Sequence, residues 1–148
     1  ADRVADAVAA VSEYPLPLAI VDMGTATTIS VIDSEKHFIG GAICPGVMIS
    51  MEALTSRASK LSDVSLEQPR TVIGRSTAEC MRSGILYGTA SMIDGIIERM
   101  EDELGEKLFV IATGDNASCI LPYCRTEIRQ DEYLLMKGLY QIYKKNKA

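Results

Sequence analysis

The chain has 148 residues, 47% hydrophobic and 24% charged, with a formal net charge of −5. That length suits one domain burying about 70% of its unfolded surface, and the negative charge argues against nucleic acid, whose binding depends on neutralising phosphates. No apolar run approaches the roughly 20 residues of a membrane span, no signal peptide opens the chain, and four dispersed cysteines without C-x-x-C spacing argue against structural zinc and for free thiols in a reducing cytoplasm.

Ala1 rather than Met stands first, which we read as a trimmed start. Ala1 to Glu13 reads as an amphipathic helix with Val4, Ala7, Val8 and Val11 on one face and Asp2 as a candidate N-cap. Tyr14-Pro15-Leu16-Pro17 ends it. The apolar run Leu18 to Val21 reads as a buried strand arriving at Asp22. Gly24-Thr25 makes a tight turn, and Thr27 to Asp33 is a second, β-branched strand. After the polar turn Ser34-Glu35-Lys36, His37 to Ile43 completes a three-strand antiparallel meander, interrupted by Gly40-Gly41. The lone His37 reads as exposed or locally bonded rather than as a ligand.

Pro45 fits the first turn of a helix running to about Ala58, with Val47, Met51 and Leu54 on one face. Leu61 to Pro69 reads as a surface loop, and Arg70 to Ile73 as a short extended piece closed by Gly74. A long helix from about Ser76 to Leu104 carries the stripe Ala78, Met81, Ile85, Met92, Ile96 and Met100, with Ile93 and Ile97 beside it. Gly84, Gly88 and Gly95 inside it either give close backbone packing, the reading we adopt, or break the helix. Its length and small residues make it a candidate subunit interface. Lys107 to Thr113 is a buried strand ending in Gly114, Asn116 to Leu121 a short helix, and Pro122 to Arg129 irregular with a brief strand. Glu132 to Lys145 is the last helix, with Leu135, Leu139, Ile142 and Tyr143 facing inward; its lysine-rich end suits the helix dipole. A meander followed by alternating helix and strand makes an α/β domain with a mixed sheet flanked by helices.

The hairpin at Asp22 carries the chemistry. It gathers one carboxylate, several backbone N–H groups and up to three hydroxyls at a strand end, and successive N–H groups in a tight turn bind anions. A carboxylate beside phosphate needs a cation between them. D-x-G-T is short, and an ordinary hairpin with a capping Asp fits the same spacing.

With these residues laid out, the chain resembles the second half of type III pantothenate kinases, of the superfamily of acetate and sugar kinases, actin and Hsp70. The resemblance rests on Ala1-Asp2-Arg3, Val21-Asp22-Met23-Gly24-Thr25-Ala26-Thr27-Thr28 and Gly40-Gly41-Ala42-Ile43-Cys44-Pro45-Gly46. It continues through Val72-Ile73-Gly74-Arg75-Ser76-Thr77, Ser83-Gly84-Ile85-Leu86-Tyr87-Gly88, Ile111-Ala112-Thr113-Gly114 and Gly138-Leu139. It implies a ribonuclease H-like (actin-like ATPase) domain and ATP-dependent phosphorylation of the primary hydroxyl of pantothenate, the first step towards coenzyme A. It implies Mg2+ with the ATP and a monovalent cation, K+ or NH4+. Asp2 matches the general base, its plain alternative being the N-cap. Ala1, Asp2 and Arg3 match the pantothenate-binding stretch, the guanidinium suiting an anionic acid; a surface arginine is the alternative for Arg3. Asp22 matches the monovalent-cation ligand. Gly24 and Thr25 match the ATP-phosphate turn, with Thr113 and Gly114 as a second nucleotide-side turn. Thr77 matches a pantothenate contact made across a homodimer interface, its alternative being the N-cap region of the long helix.

Asp115 stands where the family usually shows a second glycine, and Leu135 where Thr is frequent. The family's first half, with its own D-x-G-N-T hairpin, is not in the chain. Residues 1–148 are therefore expected to be the second domain of a two-domain cytoplasmic kinase, inactive alone. The competing readings are a non-catalytic nucleotide- or ligand-binding regulator on the same scaffold and a kinase for another small hydroxy acid.

Overall fold

A computed structural model describes residues 2–58 and 64–147. Its elements in chain order are α1 (Asp2–Glu13), β1 (Leu18–Met23), β2 (Ala26–Ile32), β3 (Phe38–Pro45), α2 (Val47–Arg57) and α3 (Thr77–Leu104). They continue with β4 (Phe109–Thr113), α4 (Ala117–Ile120), a 3-10 turn (Leu121–Tyr123), β5 (Ile128–Gln130) and α5 (Leu134–Lys147). The strands form one five-stranded mixed sheet in the order β3-β2-β1-β4-β5. β1, β2 and β3 pair antiparallel, as the meander reading requires, and β4 joins β1 in parallel with Asp22 opposite Thr113.

Both faces of β1 are covered, which is why its apolar run does not alternate. On one face Ala19, Val21 and Met23 pack with Ile29, Val31 and Val110 under Leu86, Ala90, Ile93 and Ile97 of α3. On the other, Leu18, Ile20, Ile32 and Ile111 pack under Ala9 and Ala10 of α1 and Leu134 of α5. Among the described residues no helix is long and apolar enough to cross a membrane.

Several sequence expectations shift by local physics. The inward residues of α1 are Ala5, Asp6, Ala9 and Ala10, while Val4 is exposed. Small residues win because α5 lies almost against α1: a Cβ on Gly138 would sit 1.8 Å from the Ala5 carbonyl oxygen. On α5 itself Leu134 and Gly138 are buried, whereas Leu139 and Tyr143, expected to face inward, are exposed. Pro45 ends β3 rather than starting α2, whose N-cap is Gly46, because it pairs with Ala26 at the end of the ladder. α3 runs unbroken, yet a Cβ on Gly84, Gly88 or Gly95 would meet none of the described residues within 4 Å, so these glycines do not serve close packing among them. The centre of its buried face is Leu86, Ala90, Ile93 and Ile97, with the expected stripe residues Ile85, Met92, Ile96 and Met100 at its margin.

Arg70 to Ile73 forms no strand, and of the loop expected over 61–69, residues 61–63 lie outside the described ones. Residues 64–76 strap along α3: Arg82 Nε donates to the Ser65 carbonyl at 2.9 Å, and the Ser83 hydroxyl donates to the Val72 carbonyl. His37 bonds locally to Asp33, as expected.

Candidate active site

Strand register places Asp22 beside Thr28 of β2 and Thr113 of β4. Cross-strand neighbours share a face, so the carboxyl and both threonines lie on the α1 side at the end of β1. α1 delivers Asp2 and Asp6 to the same place. Asp6 is 2% exposed, and burial, reinforced by Asp22 and Asp2, pushes its carboxyl up to about 7. Burial also raises Asp22, with Asp2 and Asp115 adding repulsion and a hydrogen bond with Asp6 pulling the other way. Two carboxyls in contact cannot both stay charged without compensation, and a proton on Asp6 donated to Asp22 resolves the conflict near neutral pH.

Three backbone turns lock together around this cluster. A Cβ on Gly114, where φ is +101°, would lie 2.6 Å from the Met23 carbonyl carbon and 2.7 Å from Asp22 Oδ1, so only glycine fits there. The Asn116 amide N–H donates to the Met23 carbonyl at 3.0 Å, and its Nδ2 donates to the Gly24 carbonyl at 3.4 Å. From the other side a Cβ on Gly46 would sit 2.0 Å from the Thr25 carbonyl oxygen. Thr25 itself is exposed at the hairpin tip and Gly24 half-buried, while Thr113 is buried beneath. Carbonyls are thus occupied by packing on the inner side of the turn, and the tip remains open to a ligand.

Of the residues singled out from sequence, the structure brings together Asp2, Asp22, Gly24, Thr113 and Gly114, with Thr25 at the tip. Asp2 is exposed in the first turn of α1, inside the helix rather than flanking it as a cap. Arg3 lies on the same sheet face but is engaged: its Nε donates to Ser30 Oγ at 3.0 Å and its guanidinium stacks 5.4 Å over Phe38. Ala1 lies outside the described residues. Thr77 opens α3 on the opposite face, exposed in a shallow hollow with Arg75, Cys80 and Leu54. The N-cap of α3 is Ser76, which accepts from the Glu79 N–H. Asp6 had no sequence signal beyond its place among alanines. An open groove of about 1380 Å³ along the acidic flank of α3 contains none of the site residues.

Among the described residues no three His, Cys, Asp or Glu side chains converge on one metal position. Asp22 and Asp6 nevertheless offer hard oxygens, and Asp6 Oδ1 is buried without a hydrogen-bond partner among the described residues, so an oxygen-loving cation fits with hydroxyls, carbonyls, water or phosphate completing its shell.

Comparison with known proteins places the chain. The family model described as type III pantothenate kinase matches residues 1–99. Among solved structures, a protein described as a conserved Baf family transcriptional activator from Campylobacter jejuni is similar at 22% identity with a TM-score of 0.69, over 98% of this chain and 63% of that one. The activator of 2-hydroxyisocaproyl-CoA dehydratase from Clostridium difficile, with bound ADPNP, aligns at 13% identity and a TM-score of 0.58, over 99% of this chain and 67% of that one. The Alp12 filament aligns at 11% identity and a TM-score of 0.65, over all of this chain and 53% of that one. At these identities the structures establish the fold, which is that of the actin-like ATPases. The chain spans 63% of the length of the Campylobacter jejuni protein.

Proposed function

We propose the following on the premise that the chain belongs to the type III pantothenate kinase family: the whole protein transfers the γ-phosphoryl of ATP to the primary hydroxyl of pantothenate. Residues 1–148 then form its second domain, with a first domain supplying the opposite wall of the nucleotide cleft, and the second domain alone does not turn over. The observation that carries this reading is the meeting of Asp2 with the Asp22 hairpin, an exposed carboxylate beside an anion-ready turn.

In this reading the hydroxyl oxygen of pantothenate attacks the γ-phosphorus while the bond to the β–γ bridging oxygen breaks, and ADP leaves. Asp2 accepts the hydroxyl proton; being exposed, it is accessible to substrate. The N–H groups around Gly24, the Thr25 hydroxyl and the Thr113-Gly114 turn hold phosphate oxygens. A monovalent cation at Asp22, with Mg2+ on the ATP, would offset repulsion between that carboxylate and the phosphates. Arg3 positions the substrate carboxylate from its seat on Ser30 and Phe38. Thr77 acts in a partner copy. A homodimer through α3 is supported by the open space outside Gly84, Gly88 and Gly95, which with Ser91 fall on one helical face.

The test is a polypeptide extended by about one hundred N-terminal residues, assayed with ATP, Mg2+, K+ and pantothenate. A phosphorylated product, lost by at least 100-fold in Asp2→Asn, is expected. Nucleotide binding without product would favour a regulator on the same scaffold. Product only with a different hydroxy acid would move the substrate assignment.

A further inference from the structure

One buried group has no part in the proton and phosphate chemistry above. Asp6 lies one helical turn along α1 from Asp2, 2% exposed, with Oδ1 shielded from solvent and without a hydrogen-bond partner among the described residues. Unpaired buried oxygens of this kind are rare, and they point to a proton, a donor or an ion that fills the position. Among the described residues, the charged groups acting on the Asp6 and Asp22 carboxyls are carboxylates, Asp2 and Asp115 besides each other. Arg3, the near cation in sequence, is directed to Ser30 and Phe38 instead. The described residues therefore concentrate negative charge at a half-buried strand end, with no positive side chain among those acting on it.

We propose that Asp6 is a second carboxylate ligand, beside Asp22, for one hard cation held between the first turns of α1 and the end of β1. This inference rests on the reading of Asp22 as a cation ligand and extends it. The donors are all oxygens: two carboxylates, with the Thr28 and Thr113 hydroxyls on the same face. Such a set suits K+ or Mg2+ and disfavours soft metals, which need thiolate or imidazole. Histidine does not contribute, since His37, the one histidine of the sequence, is bonded to Asp33 and lies beyond the far end of β2. Sharing the ion removes the conflict between the two carboxyls without a proton, and it satisfies the orphaned Oδ1.

The full chain is titrated at fixed pH and constant ionic strength with KCl in one arm and MgCl2 in another, each balanced by choline chloride. The readouts are the unfolding midpoint and the heat of binding. We expect saturable stabilisation in one arm, which identifies the cation, and a midpoint concentration raised at least tenfold in Asp6→Asn, the scale for losing a ligand of this kind. Asp22→Asn should lose the response. Asp6→Asn keeps the shape and a donor towards Asp22; Asp6→Ser provides a second variant, and far-UV circular dichroism confirms that each is folded. An unchanged midpoint in both Asp6 variants, with the response lost in Asp22→Asn, would overturn the role of Asp6 and leave Asp22 as a ligand. No saturable response in either arm of the wild-type chain would overturn both, while the kinase reading would still stand or fall on product formation.

Discussion

Replacing glycine by alanine inside a helix should have opposite signs at two places in this chain. In α5, the Cβ of Gly138→Ala would start 1.8 Å from the Ala5 carbonyl oxygen and 2.4 Å from its carbon. Ordinary contact needs about 1.5 Å more, and both obstructing atoms are backbone, so no side chain can rotate away. α1 must lift off α5 or the helices must slide, which costs about 1–3 kcal/mol or more for overpacking, against a propensity gain of about 1 kcal/mol. In α3, Gly84→Ala and Gly88→Ala meet none of the described residues within 4 Å, so the propensity gain of about 0.5–1 kcal/mol stands alone. Urea unfolding of the three variants reads the difference as midpoint shifts at constant slope: down for Gly138→Ala, up for the α3 pair. A midpoint for Gly138→Ala at or above wild type would refute the close crossing of α1 and α5. Destabilised α3 variants at protein concentrations where the chain is monomeric would refute the open face of α3.

Asp6→Asn should remove part of the pH dependence of stability in choline buffer. Because the folded carboxyl binds its proton up to about 7, against an ordinary 3.8, the folded state holds more protons between those values; its stability is full below about 4 and falls as pH rises through 7. The variant should match wild type near pH 4 and exceed it at pH 8 by about 2–4 kcal/mol, and parallel stability profiles over that range would contradict the buried-acid description. Tyr14→Phe removes the hydroxyl that donates to Asp131 at 2.6 Å. Lys137 also serves Asp131, so denaturant unfolding should show a loss of about 1–2 kcal/mol rather than collapse. Gly114→Ala should both destabilise the chain by about 1–3 kcal/mol and weaken nucleotide binding in the extended polypeptide, since the new Cβ collides with Met23 and Asp22; calorimetry with a non-hydrolysable ATP analogue measures the second effect.

What could be read from sequence was what local pattern decides. The Leu18–Met23 run, the β-branched strand after Gly24-Thr25 and the 28-residue α3 all follow from runs and spacings within a few residues, and the Asp22 turn is visible as a strand meeting an acid and a glycine. The inner face of α1 was not visible in this way. Its valines have the helical period, yet the tight crossing at Gly138, 133 positions away from Ala5, selects the alanines and carries Asp6 inward with them. The same crossing turns Leu139 and Tyr143 outward on α5. Asp6 was hidden for that reason: a carboxyl among alanines reads as solvated until the fold sets it against the end of β1 at Asp22. Pro45 misled because its fixed φ suits a strand edge as well as a helix start, and its pairing with Ala26 chose between them.

The hairpin owes its fixed shape to pieces that are far apart in sequence. Met23 and Gly24 carbonyls are held by Asn116, and the Thr25 carbonyl packs against Gly46, so three successive acceptors of the turn face protein. With these acceptors turned inward, the turn does not present them to a bound anion, as the proposed phosphate role requires. Yet the side chains that α1, β1 and the β4–α4 turn bring alongside are Asp2, Asp6, Asp22 and Asp115, the polarity an anion avoids. In the function proposed above, phosphate beside this carboxylate cluster would be unfavourable alone. The proposed cation between the two would offset that repulsion, with the carboxyls that α1 and β1 press together as its ligands.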